Sequence, residues 1–483
     1  MTLNLLFVLL GQVLGLILNA VSIVLLARYW GESLFGIFSY GLVYVGFVGL
    51  LSDFGMKPVL IREMARNRNH AESIVNCASV VKLCLCGIAI LMGCMVASIL
   101  FDAIQFKTVG ALVLITLFSS KSGTLRIVFE SVFQADMDMQ YSVGFQLMDS
   151  LLQLLVIALF IHLNVSFTVL LLGYVFSNIP GFVWTVIATS RRIKLRLKAD
   201  FKIVCWLLKE SFPLFIYLIF TMLFERMDVL FLKSFHGEAT VGIYSSAFRL
   251  TAPLVFIPYA VVTALYPLLT TVEDDQNRTL SKLFGFGLKL LLMIGIILNV
   301  VGLIFGKPLF VFLFGGRFLG AVVPFQLLLW SQSVMFLIFF IVDYNNARGR
   351  QVKNTIYMAM MVVVSFFLQR FFIKSFGVVG AGWAKIFLNT MGLAILFLLV
   401  QKELSKEQRS HFFKIGLMLM LFLIPGCGLL ALNTPSWLTG LGLGGVLLVF
   451  VFWLFSREEK QLINSLFRDI LVKWGLAEGI PAP

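Results

Sequence analysis

Charged residues are scarce in this sequence. Only 13% of its 483 residues are Asp, Glu, Lys or Arg, whereas 60% are hydrophobic. Soluble globular domains carry about 25% charged residues and bury a smaller apolar share. A water-soluble enzyme or binding module is therefore excluded, and the chain belongs in a lipid bilayer.

Residue types that commonly perform chemistry are also few. The chain has 4 His and 6 Cys, and the cysteines lack the CxxC pairing of a zinc site or a secreted disulfide framework. Neither a GxxxxGK[ST] phosphate loop nor an HExxH metal motif occurs. ATP hydrolysis is excluded on these grounds, and we predict a protein that is not an enzyme and uses no cofactor or metal.

The apolar residues fall into about fourteen blocks that are each long enough to span a bilayer as a helix. They do not alternate with polar residues as the strands of a membrane β-barrel do. The formal net charge of +14 comes from Lys and Arg that concentrate in alternate loops. Under the positive-inside rule this pattern places both termini in the cytoplasm, so we interpret the charge as topology rather than as a nucleic-acid site. The predicted class is an all-α polytopic membrane protein.

The charge clusters divide this predicted bundle into segments. The densest basic cluster is a cytoplasmic linker that could also contact anionic headgroups. We predict two pseudo-symmetric six-helix lobes joined by this linker, two extra helices and an amphipathic tail at the C-terminus. The boundaries are 1–190 for the N-lobe with spans one to six, 191–209 for the linker, 210–401 for the C-lobe with spans seven to twelve, 402–456 for spans thirteen and fourteen, and 457–483 for the cytoplasmic tail.

An internal repeat supports the two lobes. The segment from Gly31 to Ser39 recurs 206 residues later, from Gly237 to Ser245, with matching Gly, Glu, Gly, Ile and Ser and a Phe38/Tyr244 exchange. Both copies follow an odd-numbered span, so the repeat keeps its orientation in the membrane. We interpret the motif as structural: the first Gly makes a tight turn, Ser caps the next helix and the second Gly permits close entry. The residues are Gly31, Glu32, Gly36, Gly237, Glu238 and Gly242.

Longer stretches around the repeat carry a family resemblance. They are Leu26–Gly31 leading into Phe35–Ser39, Asp53–Met56 leading into Arg62–Arg66, and Arg226–Val229 leading into Gly242–Leu250. With the fourteen-span plan, this order and spacing resemble the multidrug/oligosaccharidyl-lipid/polysaccharide (MOP) exporter superfamily, and within it the Wzx-type polysaccharide flippases.

This resemblance implies a function and a location. The substrate would be an oligosaccharide repeat unit on undecaprenyl pyrophosphate, flipped across the bacterial inner membrane by alternating access for O-antigen, capsule or exopolysaccharide assembly. Membrane lipid would surround the protein, and the polymerase and chain-length regulator of the same pathway would be its partners. The alternatives are a drug/cation antiporter of the same superfamily and a peptidoglycan lipid-precursor flippase. A polymerase or ligase is set aside because no outward loop is large enough for a catalytic domain.

Basic residues inside predicted spans are the candidate substrate contacts, since a charge in the membrane is costly unless it faces a wet cavity or a partner. Arg249 leads because it has no acidic neighbour at i±3 or i±4. Arg226 is flanked by Glu225 and Asp228, so pairing and substrate contact are equally open. The remaining candidates are Lys121, for which pairing with Asp149 is also open, and Lys385. We expect three further cations to extend toward the headgroups: Lys82, Lys289 and Arg370.

Overall fold

The computed structural model describes residues 2–114, 119, 125–196, 200–271, 277–348, 351–402 and 404–416. Every regular element in these ranges is a helix. Helices suit a bilayer because all their backbone hydrogen bonds close within one segment. The all-α, many-span class predicted from the sequence is confirmed. The predicted tail and almost all of spans thirteen and fourteen lie outside the described residues.

The α-helices are numbered here in chain order. They are α1 Thr2–Asp53, α2 Met56–Arg66, α3 Ala71–Leu100, α4 Ala103–Val113, α5 Arg126–Ala135, α6 Met139–His162, α7 Phe167–Phe176, α8 Ile179–Ser190, α9 Phe201–His236, α10 Glu238–Thr251, α11 Phe256–Thr271, α12 Asn277–Phe314, α13 Val322–Ala347 and α14 Gln351–Val400. The predicted fourth span, Val109 to Phe129, begins in α4 and ends in α5, and the other predicted spans up to the twelfth coincide with these helices.

Two of the helices are each long enough for two membrane crossings. The apolar part of α1 covers 44 residues and that of α14 covers 48, whereas about 20 residues cross a bilayer. Each is interrupted by one glycine with positive φ, Gly31 at φ 72° and Gly377 at φ 56°. These glycines therefore separate successive spans.

The chain forms two compact units. The first unit comprises Met1–Arg249, Val311–Gly320 and Ser365–Ala381. The second comprises Leu250–Phe310, Ala321–Val364 and the described residues from Gly382 onward. The predicted lobe boundaries at 190 and 210 remain a prediction.

Helix α2 of the first unit is amphipathic. Its apolar side buries Met56, Leu60 and Met64 against α3, α5 and α9, while the Arg62 side chain is exposed. The chain enters the helix through Gly55, whose φ is 67° and whose Cα lies against the backbone of α9. A side chain there would collide with Phe215.

The first residues of the basic linker are fixed by side chains of α3 and of the turn between α5 and α6. The Asn76 amide donates to the Lys194 carbonyl at 3.1 Å, and its oxygen accepts from the Arg196 N–H at 2.8 Å. Arg192 pairs with Asp136 and Asp138. The linker thus makes specific protein contacts in addition to its predicted role in topology.

Helix α13 is the most buried span of the second unit among the described residues. Polar side chains join it to its neighbours: Asn299 of α12 donates to Ser333 at 2.6 Å, and Asn389 of α14 donates to Ser331 at 2.8 Å. Gly295 and Gly302 let α12 approach α13 closely, because a Cβ at either glycine would overlap Ser333 or Leu329. Small residues and interhelical hydrogen bonds are the usual means of helix association in lipid.

Candidate functional site

The two repeat copies meet in the first unit. Gly31 and Gly237 have nearly identical backbones, with φ/ψ of 72°/−173° and 81°/−171°, and each ends one helix and begins the next. Five residues further on, Gly36 and Gly242 bring the two following helices into backbone contact. Ser39 and Ser245 lie inside these helices, so the expectation that they cap helix starts is wrong.

This crossing places Arg249 against aromatic rings. Arg249 lies about two turns beyond Gly242 on α10, within a candidate membrane span. Its guanidinium carbon is 5.7 Å from the ring centre of Phe35 and 5.9 Å from that of Phe38. Tyr174 of α7 is close enough to interact electrostatically with it. The rings present their electron-rich faces to the cation, which attracts it and leaves its N–H donors available.

Arg226 of α9 has a similar environment. Its guanidinium carbon lies 4.6 Å from the ring centre of Phe248. It is close enough to Arg249 for the two positive charges to repel one another. Both side chains are partly exposed. Among the described residues, neither arginine has a carboxylate within ion-pair distance, so the two form a cationic pair within membrane helices.

The acidic residues that flank Arg226 in the sequence do not neutralise it. Asp228 is 1% exposed and accepts a hydrogen bond from the Tyr244 hydroxyl at 2.6 Å. Glu225 is exposed. The question that the sequence left open at Arg226 is thus answered against local pairing.

Two further predicted site residues, Lys121 and Lys385, are not part of the described first unit. Lys121 lies outside the described residues. Lys385 belongs to the second unit, where it is half-buried. Their assignment as substrate contacts remains a prediction.

Glu238 of the repeat has a clear structural contact. Its carboxylate accepts hydrogen bonds from Lys233 and from Gln105 at 2.5 Å. The backbone carbonyl of Glu32, its counterpart, lies against Gly242, just as the carbonyl of Glu238 lies against Gly36. Both glutamates therefore belong to the packing of the repeat.

Two of the three cations expected to reach the headgroups are buried instead. Lys82 is 0% exposed and pairs with Asp53 at 3.0 Å, and Lys289 is 8% exposed. Asp53 ends α1 while Lys82 lies in the middle of α3, so a contact between distant segments removes the lysine from the surface. The expectation that these two lysines extend toward the headgroups is wrong, whereas Arg370 is exposed.

A buried ionic cluster also escaped the sequence analysis. Arg126 of α5 is 0% exposed and contacts Glu130 at 2.8 Å and Asp149 of α6 at 2.6 Å. Gly181 of α8 closes over it, since a Cβ there would be 1.8 Å from the Asp149 carboxylate. The Arg-x-x-x-Glu spacing, which puts both charges on one helix face, could have revealed this pair. Its complete burial indicates a structural role.

The arrangement of the two arginines can bind an anion. Within the described ranges, no three His, Cys, Asp or Glu side chains are grouped to hold a metal ion. Two half-buried guanidinium groups near one another can donate several hydrogen bonds to phosphate oxygens in fork geometry.

Comparison with known proteins places this site in a family. The family model "Polysaccharide biosynthesis protein" matches residues 2–273, which is more than half of the chain and includes both copies of the repeat and the arginine pair. No curated protein sequence matches the chain significantly.

Solved structures share the fold. The inward closed lipid II flippase MurJ matches with a TM-score of 0.69 at 14% identity, covering 95% of this chain and 99% of that one. An inward-facing multidrug resistance MATE family transporter matches at 0.57 and 14% identity, covering 80% and 99%. A MOP superfamily transporter from Pyrococcus furiosus, described as having a binding pocket of reversed polarity, matches at 0.54 and 14% identity, covering 83% and 95%. The chain therefore belongs to the polysaccharide biosynthesis protein family and has the fold of MOP superfamily transporters.

Proposed function

We propose that this protein is a flippase that moves an oligosaccharide linked to undecaprenyl pyrophosphate across the bacterial inner membrane. The observation that carries the proposal is the pair Arg226 and Arg249, two partly exposed cations within candidate spans that have no described carboxylate partner. A pyrophosphate loses its hydration when it crosses the ~30 Å hydrocarbon core. Guanidinium groups can replace that water with charge-assisted hydrogen bonds. Membership of the polysaccharide biosynthesis family supports the same cargo.

The polarity of the described site favours an anionic cargo over a cationic drug. A cation antiporter needs acidic side chains that face its cargo. Here Asp53 pairs with Lys82, Asp149 pairs with Arg126, and Asp228 is bonded to Tyr244.

Transport would proceed by alternating access of the two predicted lobes, with both termini in the cytoplasm. Lys121 and Lys385 are proposed as further contacts of the pyrophosphate. A polymerase and a chain-length regulator would use the flipped product in O-antigen, capsule or exopolysaccharide assembly.

The test is rescue of surface polysaccharide in a bacterial strain that lacks its own flippase but retains the matching glycosyltransferases. Wild type, Arg249→Ala and Arg249→Lys are compared at equal membrane abundance, with Arg62→Ala as the control because Arg62 is an exposed arginine in surface ion pairs. We expect wild type and Arg62→Ala to rescue, Arg249→Ala to fail and Arg249→Lys to rescue partly, since lysine keeps the charge but not the fork.

Two further strains separate the alternatives. Rescue of a strain depleted of its lipid II flippase would favour the peptidoglycan precursor as substrate. Increased drug resistance without polysaccharide rescue would favour the antiporter. Full rescue by Arg249→Ala would disprove the role of the arginine pair.

A further inference from the structure

The hydrogen bond between Asp228 and Tyr244 affects Arg226, which lies two residues before Asp228 on α9. Asp228 and Arg226 both reach α10 from α9, where they contact Tyr244 and Phe248 respectively. Tyr244 and Phe248 are four residues apart on the same face of α10, with ring centres 6.3 Å apart. The carboxylate and the guanidinium therefore occupy neighbouring positions along one interface, separated by about one helical turn.

Side chains two residues apart do not normally face each other on one helix, but both of these side chains reach α10, so the carboxylate can accept from Arg226 when no other group holds it. A carboxylate that is 1% exposed needs a donor, because an unpaired buried charge costs several kcal/mol. The Tyr244 hydroxyl, itself on a fully buried side chain, donates to Oδ2 of that carboxylate at 2.6 Å, and the Val229 N–H donates to Oδ1 at 2.7 Å. Arg226 lies over the Phe248 ring instead of on Asp228.

The repeat shows that this hydroxyl belongs to one copy only. Tyr244 corresponds to Phe38, and Asp228 corresponds to Ser22. The two arginines, 226 and 249, correspond to Ala20 and Val43. The copy that carries the arginine pair thus also carries the acid and its phenolic donor, while the other copy has none of the four groups.

We propose that Tyr244 is a positioning residue that keeps Asp228 away from Arg226 and so keeps Arg226 available to an anion. Without the hydroxyl, Oδ2 of the buried carboxylate loses this donor, accepts from Arg226 in its place and so competes with the phosphate groups of the cargo. This inference rests on the proposed function, since it assumes that the arginine pair binds a diphosphate.

The experiment measures binding of farnesyl diphosphate, a soluble prenyl diphosphate, to the purified full-length protein in detergent by calorimetry. We expect Tyr244→Phe to weaken binding about tenfold, which is ~1.4 kcal/mol. The double variant Tyr244→Phe/Asp228→Asn should return to within about twofold of wild type, because the competing charge has gone. This rescue distinguishes competition by Asp228 from a packing defect at Tyr244.

Tyr44→Phe is the matched control. The Tyr44 hydroxyl also donates a hydrogen bond of 2.6 Å, but to the Gly93 carbonyl. Its loss frees no carboxylate, so binding should stay within about twofold of wild type. Unchanged binding in Tyr244→Phe, or a double variant as weak as Tyr244→Phe, would overturn the proposal.

Variants of the two arginines distinguish failure of the proposed anion site from failure of the proposed role of Tyr244. If Arg226→Ala and Arg249→Ala bind farnesyl diphosphate as wild type does, the proposed anion site itself is wrong. If both weaken binding and Tyr244→Phe does not, only the role of Tyr244 is wrong. Adding Tyr244→Phe to Arg226→Ala should cause no further loss, because the competing pair can no longer form.

Discussion

Gly36 of the first repeat copy and Gly242 of the second make a reciprocal contact, in which each glycine lies against the backbone of the other copy. A Cβ on Gly36 would be 1.9 Å from the Glu238 carbonyl oxygen, and a Cβ on Gly242 would be 2.1 Å from the Glu32 carbonyl oxygen. Each glycine thus meets the backbone of the equivalent turn in the other copy. This backbone crossing sets how close Arg249 comes to Phe35 and Phe38.

Substitution of either glycine should be destabilising. Gly36→Ala or Gly242→Ala puts a methyl group into a backbone carbonyl, which the helices can accommodate only by moving apart. We expect a loss of ~1 to 3 kcal/mol of stability, typical of overpacking. The loss of stability is measured by heating each variant and following its monodisperse peak in fluorescence-detected size-exclusion chromatography.

Gly110→Ala is the control for that pair. A Cβ at Gly110 meets no atom within 4 Å, and the residue lies inside α4. Alanine favours the helix there by ~0.5 to 1 kcal/mol, so the thermal midpoint should stay the same or rise. Equal losses from Gly110→Ala and Gly36→Ala would argue against the close crossing.

The buried ion pairs of Arg126 with two carboxylates should contribute more to stability than the more exposed ion pairs that Arg192 makes with two carboxylates. Arg126→Met leaves Glu130 and Asp149 buried without their cation, and we expect a loss of ~3 to 5 kcal/mol. Arg192 also pairs with two carboxylates, but 29% of its side chain is exposed. Arg192→Met should therefore cost only ~1 kcal/mol or less, and heated size-exclusion profiles of the two variants test the difference.

Lys82 and Asp53 should behave as a coupled pair. Lys82→Met alone leaves a carboxylate with 15% side-chain exposure and without its ammonium partner, whereas Lys82→Met/Asp53→Leu removes both charges. Because breaking a buried pair is costlier than replacing it with apolar residues, the double variant should be more stable than the single one. A double variant that is less stable than both singles would contradict this expectation.

Asn76 should protect the start of the linker from proteolysis. Asn76→Ala removes the hydrogen bonds to Lys194 and Arg196, worth ~1 kcal/mol or more together. Trypsin should then cleave between residues 191 and 196 about tenfold faster. Asn346→Ala, which loses a side-chain contact with Asp343 in the second unit, should leave the linker cleavage rate unchanged.

The sequence predicted the local features well for a physical reason. Span positions depend on runs of apolar residues, which lie in consecutive sequence. The turns at Gly31 and Gly237 were visible because only glycine adopts such positive-φ, extended backbones easily. Arg249 could be selected because no acidic residue lies within one helical turn of it.

Pairing between distant residues could not be predicted in this way. Asp53 and Lys82 are 29 residues apart, and Arg126 and Asp149 are 23 apart. The sequence suggested surface exposure for Lys82 and left Arg126 unnoticed, because a single cation in a span has many possible partners. The sequence left open whether Asp228 pairs with Arg226, and in the structure Asp228 contacts a tyrosine on the next helix.

By itself, the sequence determined that this chain is a helical membrane protein with an internal repeat and cations inside its spans, because hydrophobicity, charge and glycine backbone preference act locally. Only the tertiary structure decided which cations are neutralised, since burial of a charge is tolerable only where another helix supplies the counter-charge. The packing of α9 against α10 brings Asp228 into a hydrogen bond with Tyr244, and Arg249 lies over an aromatic ring of the first repeat copy.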